Sequence, residues 1–144
     1  MDDFLEFRTA VQKFIRVFNL GSGKTPCGNN ISPQGAHTLM LIARNKLLTQ
    51  KDLANSLAID KSNVTRLCES LAKQGLIRKK QSKEDKRANY LTLTSKGLKI
   101  SKKVESDSQI FLNKIFKSIP EENSKKITQT LDLLSDACLN IREM

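Results

Sequence analysis

A cluster of hydrogen-bonding side chains stands at the start of one short segment of the sequence. Its members are Lys61, Ser62, Asn63, Thr65 and Arg66. Apolar Val64, Leu67 and Leu71 recur among and after them at steps of three and four, which predicts a helix with one buried side. The polar groups then face outward and suit the base edges of the DNA major groove, which is wide enough to admit one helix. Asn63 matches adenine and Arg66 matches guanine or a phosphate, so the spacing predicts recognition by hydrogen bonding.

Two alternatives remain open for this cluster at the level of sequence. Ser62 and Asn63 are residue types that commonly begin helices, so ordinary helix-start chemistry competes with DNA contact. Residue type also leaves open which member reads a base and which holds a phosphate.

A second basic group lies on a predicted β-hairpin. Residues 76–80 and 89–93 have the pattern of two strands, with Leu91 and Leu93 facing inward, and the charged stretch SKEDKRA lies between them. A hairpin of this kind directly after two short helices is a wing. We expect Arg87 to enter the minor groove, because a narrow groove concentrates negative potential; the alternative is a surface ion pair with Asp85. The same hairpin carries Lys79, Lys83 and Lys86. Each of them either contacts a phosphate or is an ordinary solvent-exposed lysine.

The positive charge of the chain is concentrated in its central segment. The net charge is +10, and residues 44–103 hold 16 Lys and Arg against 5 Asp and Glu, whereas residues 1–43 and 104–144 are nearly neutral. A focused excess favours binding to a phosphate backbone over a merely solvated face. An RNA-binding or a protein-interaction winged helix is the rival function. Tyr90 is the only aromatic residue near the basic segment, which disfavours stacking on single strands, and a protein-interaction module would not need such charge.

Capping residues indicate which elements position these groups. Thr49 and Asp52 have the spacing of a capping box. After a break at residues 58–60, Asp60 can cap the helix that carries the polar cluster, and Gly75 can end it. Two short helices joined in this way form a helix-turn-helix. Further helices are predicted to begin at Ser32-Pro33, Thr94 and Pro120.

Both ends of the chain carry apolar stripes at helical spacing. The residues that we expect in a dimer interface are Phe4, Phe7, Val11, Phe14, Ile127, Leu131, Leu134 and Ile141. The turn-rich residues 21–30 should end the first helix, and the last helix carries a heptad seam. Packing within one protomer is the alternative. A two-fold symmetric dimer predicts a pseudo-palindromic operator with half-sites about 10 bp apart.

With these elements in this order, the chain resembles the MarR family of bacterial transcription regulators. The matching motifs are Ser62-Asn63-Val64-Thr65-Arg66, Asp85-Lys86-Arg87 and Leu93-Thr94-Ser95-Lys96-Gly97. The resemblance covers nearly the whole chain and implies a homodimer whose first and last helices interlock, with one DNA-binding lobe per protomer. It also implies that Asp85 positions a nearby arginine. Regulation by a small phenolic or anionic effector, or by cysteine oxidation, is a further implication.

The predicted fold is mainly α with a small β wing: a winged helix-turn-helix flanked by N- and C-terminal dimerisation helices. We expect one domain over residues 1–144, with residues 31–103 binding DNA and residues 1–30 and 104–144 forming the dimer. No apolar run is long enough to span a membrane, and the acidic start lacks a signal pattern. We therefore expect a bacterial cytosolic protein that associates with the nucleoid.

Few residues are available for catalysis or metal binding. The three cysteines are far apart, and together with the single His37 they form no metal-spaced group. No Gly-rich phosphate loop is present, and one histidine leaves little general-base capacity, so we expect no enzyme, no cofactor and no metal. Cys27, in the turn-rich stretch, is the candidate redox residue. Cys68 and Cys138 lie on apolar helical faces and are expected in the core.

Overall fold

The order of the helices and strands follows the predicted order. The computed structural model describes residues 3–22, 31–85, 87 and 89–143, and only the backbone of residues 19–22. These residues form α1 (Asp3–Ser22), α2 (Pro33–Arg44), α3 (Gln50–Leu57), α4 (Lys61–Lys73), β1 (Ile77–Gln81), β2 (Asn89–Leu93), α5 (Ser95–Lys117) and α6 (Glu121–Glu143). The mainly α fold with a small antiparallel wing is therefore confirmed.

Helix starts are fixed by the predicted side-chain caps. The N-cap residues are Ser32, Thr49, Asp60 and Thr94, and each side chain accepts a hydrogen bond from a backbone N–H of the following turn. At α3 the bond is reciprocal: Thr49 Oγ1 accepts from the N–H of Asp52 at 3.1 Å, and Asp52 Oδ2 accepts from the N–H of Thr49 at 3.0 Å. Because helix starts leave backbone donors without partners, these caps set where α3 and α4 begin.

One apolar core lies beneath α2, α3, α4, the hairpin and the first half of α5. Its most deeply buried members are Leu39, Leu53, Val64, Cys68, Leu71, Leu76 and Leu91. The core extends from Ile31 to Val104. Neither residues 3–18 of α1 nor any residue of α6 contributes a buried side chain to it. The core therefore holds the helix-turn-helix and the wing together, while the two outer helices lie largely outside it.

The hairpin begins one residue later than the sequence pattern predicts. β1 pairs antiparallel with β2 in a register that places Ile77 opposite Leu93. Leu76 is excluded from the strand because its backbone serves the end of α4 and the start of α5. Its N–H donates to the Leu71 carbonyl at 3.0 Å, and its carbonyl accepts from the N–H of Thr94 at 3.1 Å. Leu91 is buried as expected, whereas Leu93 is only half-buried.

The junction between α4 and α5 is unusually close. Gly75 adopts φ +74°, a left-handed conformation that suits glycine at the end of a helix. Its carbonyl accepts from Thr94 Oγ1 at 2.6 Å. A Cβ on Gly97 would stand 2.0 Å from the carbonyl oxygen of Leu76. The start of α5 can therefore approach the α4–β1 turn only because residue 97 is glycine.

Two further details of the predicted architecture were wrong. Helix α1 continues through Gly21 and Ser22 instead of ending before them, because the last turn of a helix tolerates both residue types. Cys138 is exposed in the protomer, whereas Cys68 is fully buried as predicted. The reason is that α6 buries none of its described residues, so an apolar position on it does not pack into this protomer's core.

Candidate nucleic-acid interface

Helix α4 has one face in the core and its polar cluster outside. Val64, Cys68 and Leu71 are buried and Leu67 is half-buried, which confirms the predicted inner face. The opposite face carries Lys61, Ser62, Asn63 and Arg66, all exposed, and half-buried Thr65. The five polar residues of the predicted cluster are thus brought together at the N-terminal end of α4.

Asp60 organises the start of α4. Its Oδ1 accepts from the N–H of Asn63 at 2.9 Å and from Ser62 Oγ at 3.0 Å. The Asn63 N–H, and then the Ser62 hydroxyl, hold the pKa of Asp60 below its ordinary value, with a smaller contribution from the charge of Arg66. One turn later, Thr65 Oγ1 donates to the Lys61 carbonyl at 2.9 Å. The hydroxyl hydrogens of Ser62 and Thr65 are therefore both used within the protein.

The tip of the wing is held by two side-chain turns. Ser82 is only 7% exposed, and its Oγ accepts from the N–H groups of Glu84 at 3.2 Å and Asp85 at 3.3 Å. Asp85 Oδ1 in turn accepts from the backbone N–H of Arg87 at 3.0 Å. The contact of Asp85 to Arg87 is thus made to its backbone, and the Arg87 side chain lies at the surface. Such local bonds restrict the conformations of a charged loop.

The lysines of the wing differ in what the structure describes. Lys79 is exposed on β1 and Lys83 is exposed at the tip, so both lie at the surface of the hairpin. Lys86 lies outside the described residues, as does Cys27, the candidate redox residue.

Three residues beyond the predicted set contribute to this region. Asp60 was predicted as a cap but not as the partner of the Ser62 hydroxyl. Ser82 was not predicted at all, although a serine before a turn commonly accepts from the next backbone N–H groups. Arg142 at the end of α6 donates to the carbonyl of Ala58 at 2.9 Å, in the turn between α3 and α4. The two partners are 84 positions apart in the sequence, so no local pattern indicates that bond.

The predicted dimerisation stripes are largely exposed in the protomer. Phe4, Phe7, Phe14, Ile127, Leu131 and Ile141 are exposed, and Val11 and Leu134 are intermediate. Helix α1 meets α5 through Phe18, whose ring lies edge-on to Phe111 with centroids 5.8 Å apart. Phe4 is the extreme case at 73% exposure. A large apolar surface therefore remains uncovered on α1 and α6.

Two cavities lie beside α5. An apolar groove of about 550 Å³ is lined by Ala10, Lys13, Phe14, Val17, Phe18, Phe111 and Ile115. A second cavity, of about 460 Å³, lies between α2 and α5. It is lined partly by Arg44 and Glu105, which form an ion pair at 2.9 Å, and by Lys102.

Within the described residues, no group of three or more His, Cys, Asp or Glu has a metal-binding arrangement. No helix in that same part of the chain is long and apolar enough to cross a membrane.

A helix-turn-helix followed by an antiparallel hairpin and flanked by long helices defines the winged-helix class of protein, and solved structures share this fold. A structure of Streptococcus pneumoniae FabT in complex with DNA aligns with a TM-score of 0.77 at 22% identity, over 96% of this chain and 97% of FabT. A MarR transcriptional regulator from Methanosarcina mazei Go1 aligns with a TM-score of 0.76 at 23% identity, over 94% and 97% of the two chains.

Sequence comparison identifies the family within this class. Residues 29–88 match the model of the MarR family. The HTH-type transcriptional regulator BilQ of Clostridium symbiosum (strain WAL-14163) is 30% identical over 96 residues, which are 67% of this chain and 67% of BilQ. PrsX of Escherichia coli, also an HTH-type transcriptional regulator, is 27% identical over 89 residues, 62% of this chain and 54% of PrsX. The chain belongs to the MarR family, whose members are transcriptional regulators and not enzymes. Its matches span about half to two thirds of the length of the curated relatives.

Proposed function

We propose that this chain is a transcriptional regulator that binds double-stranded DNA sequence-specifically as a homodimer. Helix α4 enters the major groove with its N-terminal end leading, and the wing places Arg87 in the flanking minor groove. The observation that carries the proposal is the exposed polar face of α4, which is anchored to the core by Val64, Cys68 and Leu71. The concentration of positive charge in residues 44–103 supports it.

The wing supports the same proposal. The bonds of Ser82 and Asp85 restrict the loop before DNA arrives, so less conformational entropy is lost on binding. We assign Asp85 to positioning Arg87, because a carboxylate facing phosphates would be repelled. The contact at 3.0 Å is to the backbone of Arg87, which leaves its guanidinium available to DNA.

The uncovered apolar faces of α1 and α6 support the dimer. Monomeric soluble proteins rarely leave contiguous apolar patches of more than a few hundred Å² in water. A second copy is the partner that suits them, because the near-neutral ends of the chain do not repel their symmetry mates. Two copies related by a two-fold axis require a pseudo-palindromic operator with half-sites about 10 bp apart.

The experiment that tests DNA binding is selection from random duplexes, followed by affinity measurement at two salt concentrations. With about 6–10 phosphate contacts, affinity should fall about 10³- to 10⁵-fold between about 50 and 200 mM salt. Arg87→Ala should weaken binding, and Asn63→Ala should change the selected sequence. Lys125→Ala, which removes the same charge from an exposed position on α6, should leave affinity nearly unchanged. A flat salt response, or preference for duplex RNA of the same sequence, would contradict the proposal.

The dimer can be tested on one turn of α6. Leu131 lies on the heptad seam and is 43% exposed, whereas Leu133 lies off the seam and is 72% exposed. Leu131→Lys should shift sedimentation towards the monomer at micromolar concentration, and Leu133→Lys should not. Equal effects of the two variants, or a monomeric wild-type chain, would contradict the assignment of the seam.

We also propose that a small effector molecule regulates DNA binding. A small phenolic or anionic molecule suits the cavity between α2 and α5, because Lys102 places positive charge on its lining while the charge of Arg44 is paired with Glu105. Salicylate is a suitable probe: it should weaken operator binding by the wild-type chain more than by Lys102→Gln. Identical inhibition of both would place the effect elsewhere. For a regulator of this kind, the bacterial cytosol with its nucleoid is the proposed location.

A further inference from the structure

The Ser62 and Thr65 hydroxyl groups at the start of α4 donate their hydrogens within the protein. A serine hydroxyl normally donates or accepts, so it can contact any base edge. The partner of Ser62 Oγ is a carboxylate oxygen of Asp60 at 3.0 Å, and an ionised carboxylate can only accept. Ser62 therefore donates its one hydrogen to Asp60. Only its lone pairs remain for a ligand outside the protein.

The state of Asp60 makes this direction persistent. The same Oδ1 accepts from the backbone N–H of Asn63 at 2.9 Å, which holds the carboxylate in place as the helix cap. Hydrogen bonds from Asn63 and Ser62 lower the pKa of Asp60, so the group stays ionised at neutral pH. Hydrogen bonds to a charged group are roughly twice as strong as neutral ones. Removing water at an interface strengthens the bond further.

We propose that Asp60 acts as a specificity-determining positioning residue, which makes Ser62 a hydrogen-bond acceptor that selects a base with an amino group in the major groove. Only N6 of adenine and N4 of cytosine offer such a group; guanine and thymine present acceptors there. Phosphate oxygens also only accept, so the Ser62 hydroxyl can contact a base but not a phosphate. This inference rests on the proposed function and adds the chemical class of base that α4 reads.

Thr65 follows the same logic one turn further along. Its Oγ1 donates to the Lys61 carbonyl at 2.9 Å, so it too has only lone pairs left. Lys61 and Arg66, which can only donate, share this exposed surface with Asn63, whose amide both donates and accepts. The start of α4 thus presents fixed acceptors beside fixed donors, a pattern that distinguishes the two orientations of one base pair.

The test uses selection followed by a double-mutant cycle between protein and DNA. Selection with the wild-type chain and with Ser62→Ala identifies the operator position at which the preference differs. The amino-bearing base at that position is then replaced by its analogue without the amino group, purine for adenine or 2-pyrimidinone for cytosine. One hydrogen bond is worth about 0.5–1.5 kcal/mol net, so the wild type should lose about 2- to 10-fold in affinity. Ser62→Ala should lose little more from the same replacement.

Two variants of Asp60 separate the hydrogen bond from the charge. Asp60→Gly keeps an acceptable N-cap but removes the acceptor, so the Ser62 hydroxyl becomes free to donate and the selected position should broaden to all bases. Asp60→Asn keeps an oxygen acceptor and a good cap but removes the charge, so the preference should persist while affinity for any duplex rises. Circular dichroism confirms that each variant is folded.

The outcomes distinguish this inference from the function on which it rests. A wild-type chain that selects no duplex contradicts both. A chain that selects an operator, but loses equal affinity with and without Ser62 when the amino group is removed, overturns this inference alone. An unchanged preference in Asp60→Gly, or a Ser62→Ala variant with the wild-type motif, overturns it as well.

Discussion

Replacement of Gly97 by alanine should damage the junction that joins α5 to the DNA-binding elements. The added Cβ would lie 2.0 Å from the Leu76 carbonyl oxygen, whereas real Cβ contacts essentially never fall below 3.0 Å. The neighbour is backbone and cannot rotate away, and Leu76 is fully buried. The two segments must therefore separate by about 1 Å or more, which strains a well-packed core.

The size of the effect follows from three contributions. Overpacking costs about 1–3 kcal/mol. Separation also weakens the bond from the Thr94 N–H to the Leu76 carbonyl, now 3.1 Å long, which is worth about 0.5–1.5 kcal/mol. Alanine recovers about 1 kcal/mol of helix propensity relative to glycine. Gly97→Ala should therefore lower the free energy of unfolding by about 0.5–3.5 kcal/mol, with a central value of about 2 kcal/mol.

Urea denaturation followed by circular dichroism measures this change at a fixed protein concentration. Ser95→Ala is the matched control, because it alters an exposed residue in the same helical turn and should change stability by less than about 0.5 kcal/mol. If Gly97→Ala is as stable as Ser95→Ala, the close approach of α5 to Leu76 is wrong, and so is the reasoning that depends on it.

Three other perturbations test separate contacts. Because its hydrogen bonds with Thr49 hold the pKa of Asp52 below its ordinary value, Asp52 stabilises the fold above about pH 4, and this contribution is lost as pH falls through the lowered pKa. Between about pH 6 and about pH 3, the melting temperature should fall less in Asp52→Asn than in the wild type. An equal fall in both proteins would contradict the capping box. Ser82→Ala should weaken operator binding severalfold without changing the DNA motif that α4 selects. Loss of that motif would show that base recognition by α4 depends on the conformation of the wing. Arg142→Ala should speed hydrogen exchange in the turn at Ala58 while Arg142→Lys has a smaller effect, and unchanged exchange would show that the bond does not hold the turn.

Local signals in the sequence account for most of the fold. The caps Thr49 and Asp60 and the stop at Gly75 were predicted because each bond joins residues within one helical turn or involves a single backbone angle. Burial of Val64 and Leu91 followed from periodicity alone. The prediction was wrong where neighbouring elements use the same backbone groups. The pattern predicts Leu76 in a strand, but its N–H bonds to the Leu71 carbonyl at the end of α4.

The sequence predicts which residues of the candidate site are exposed on α4, but not the hydrogen bonds that they form. Exposure of the α4 cluster follows from the buried positions between its members, so composition and period suffice. The donation of Ser62 to Asp60 depends on rotamers, which residue types do not determine. The bond between Arg142 and Ala58 depends on where α6 ends in space, 84 residues from its partner. The exposure of Cys138 has the same origin, since the covering of α6 is not a property of its own sequence.

The length of α5 makes small rotations matter. Ser95 begins α5 two residues after β2 ends, and Phe111 packs beside α1. At 1.5 Å per residue, these positions are about 24 Å apart along one uninterrupted helix. A tilt of about 5° at the Phe111 end would move the Ser95 end by about 2 Å, a large part of the roughly 3.4 Å between successive base pairs. If the apolar core, which includes Ile100 and Val104 of α5, rotates together with the helix, such a tilt would displace α4 and the wing along DNA without repacking the core. The loss of affinity for operators whose half-sites are moved closer together or further apart would then measure how stiffly α5 resists bending.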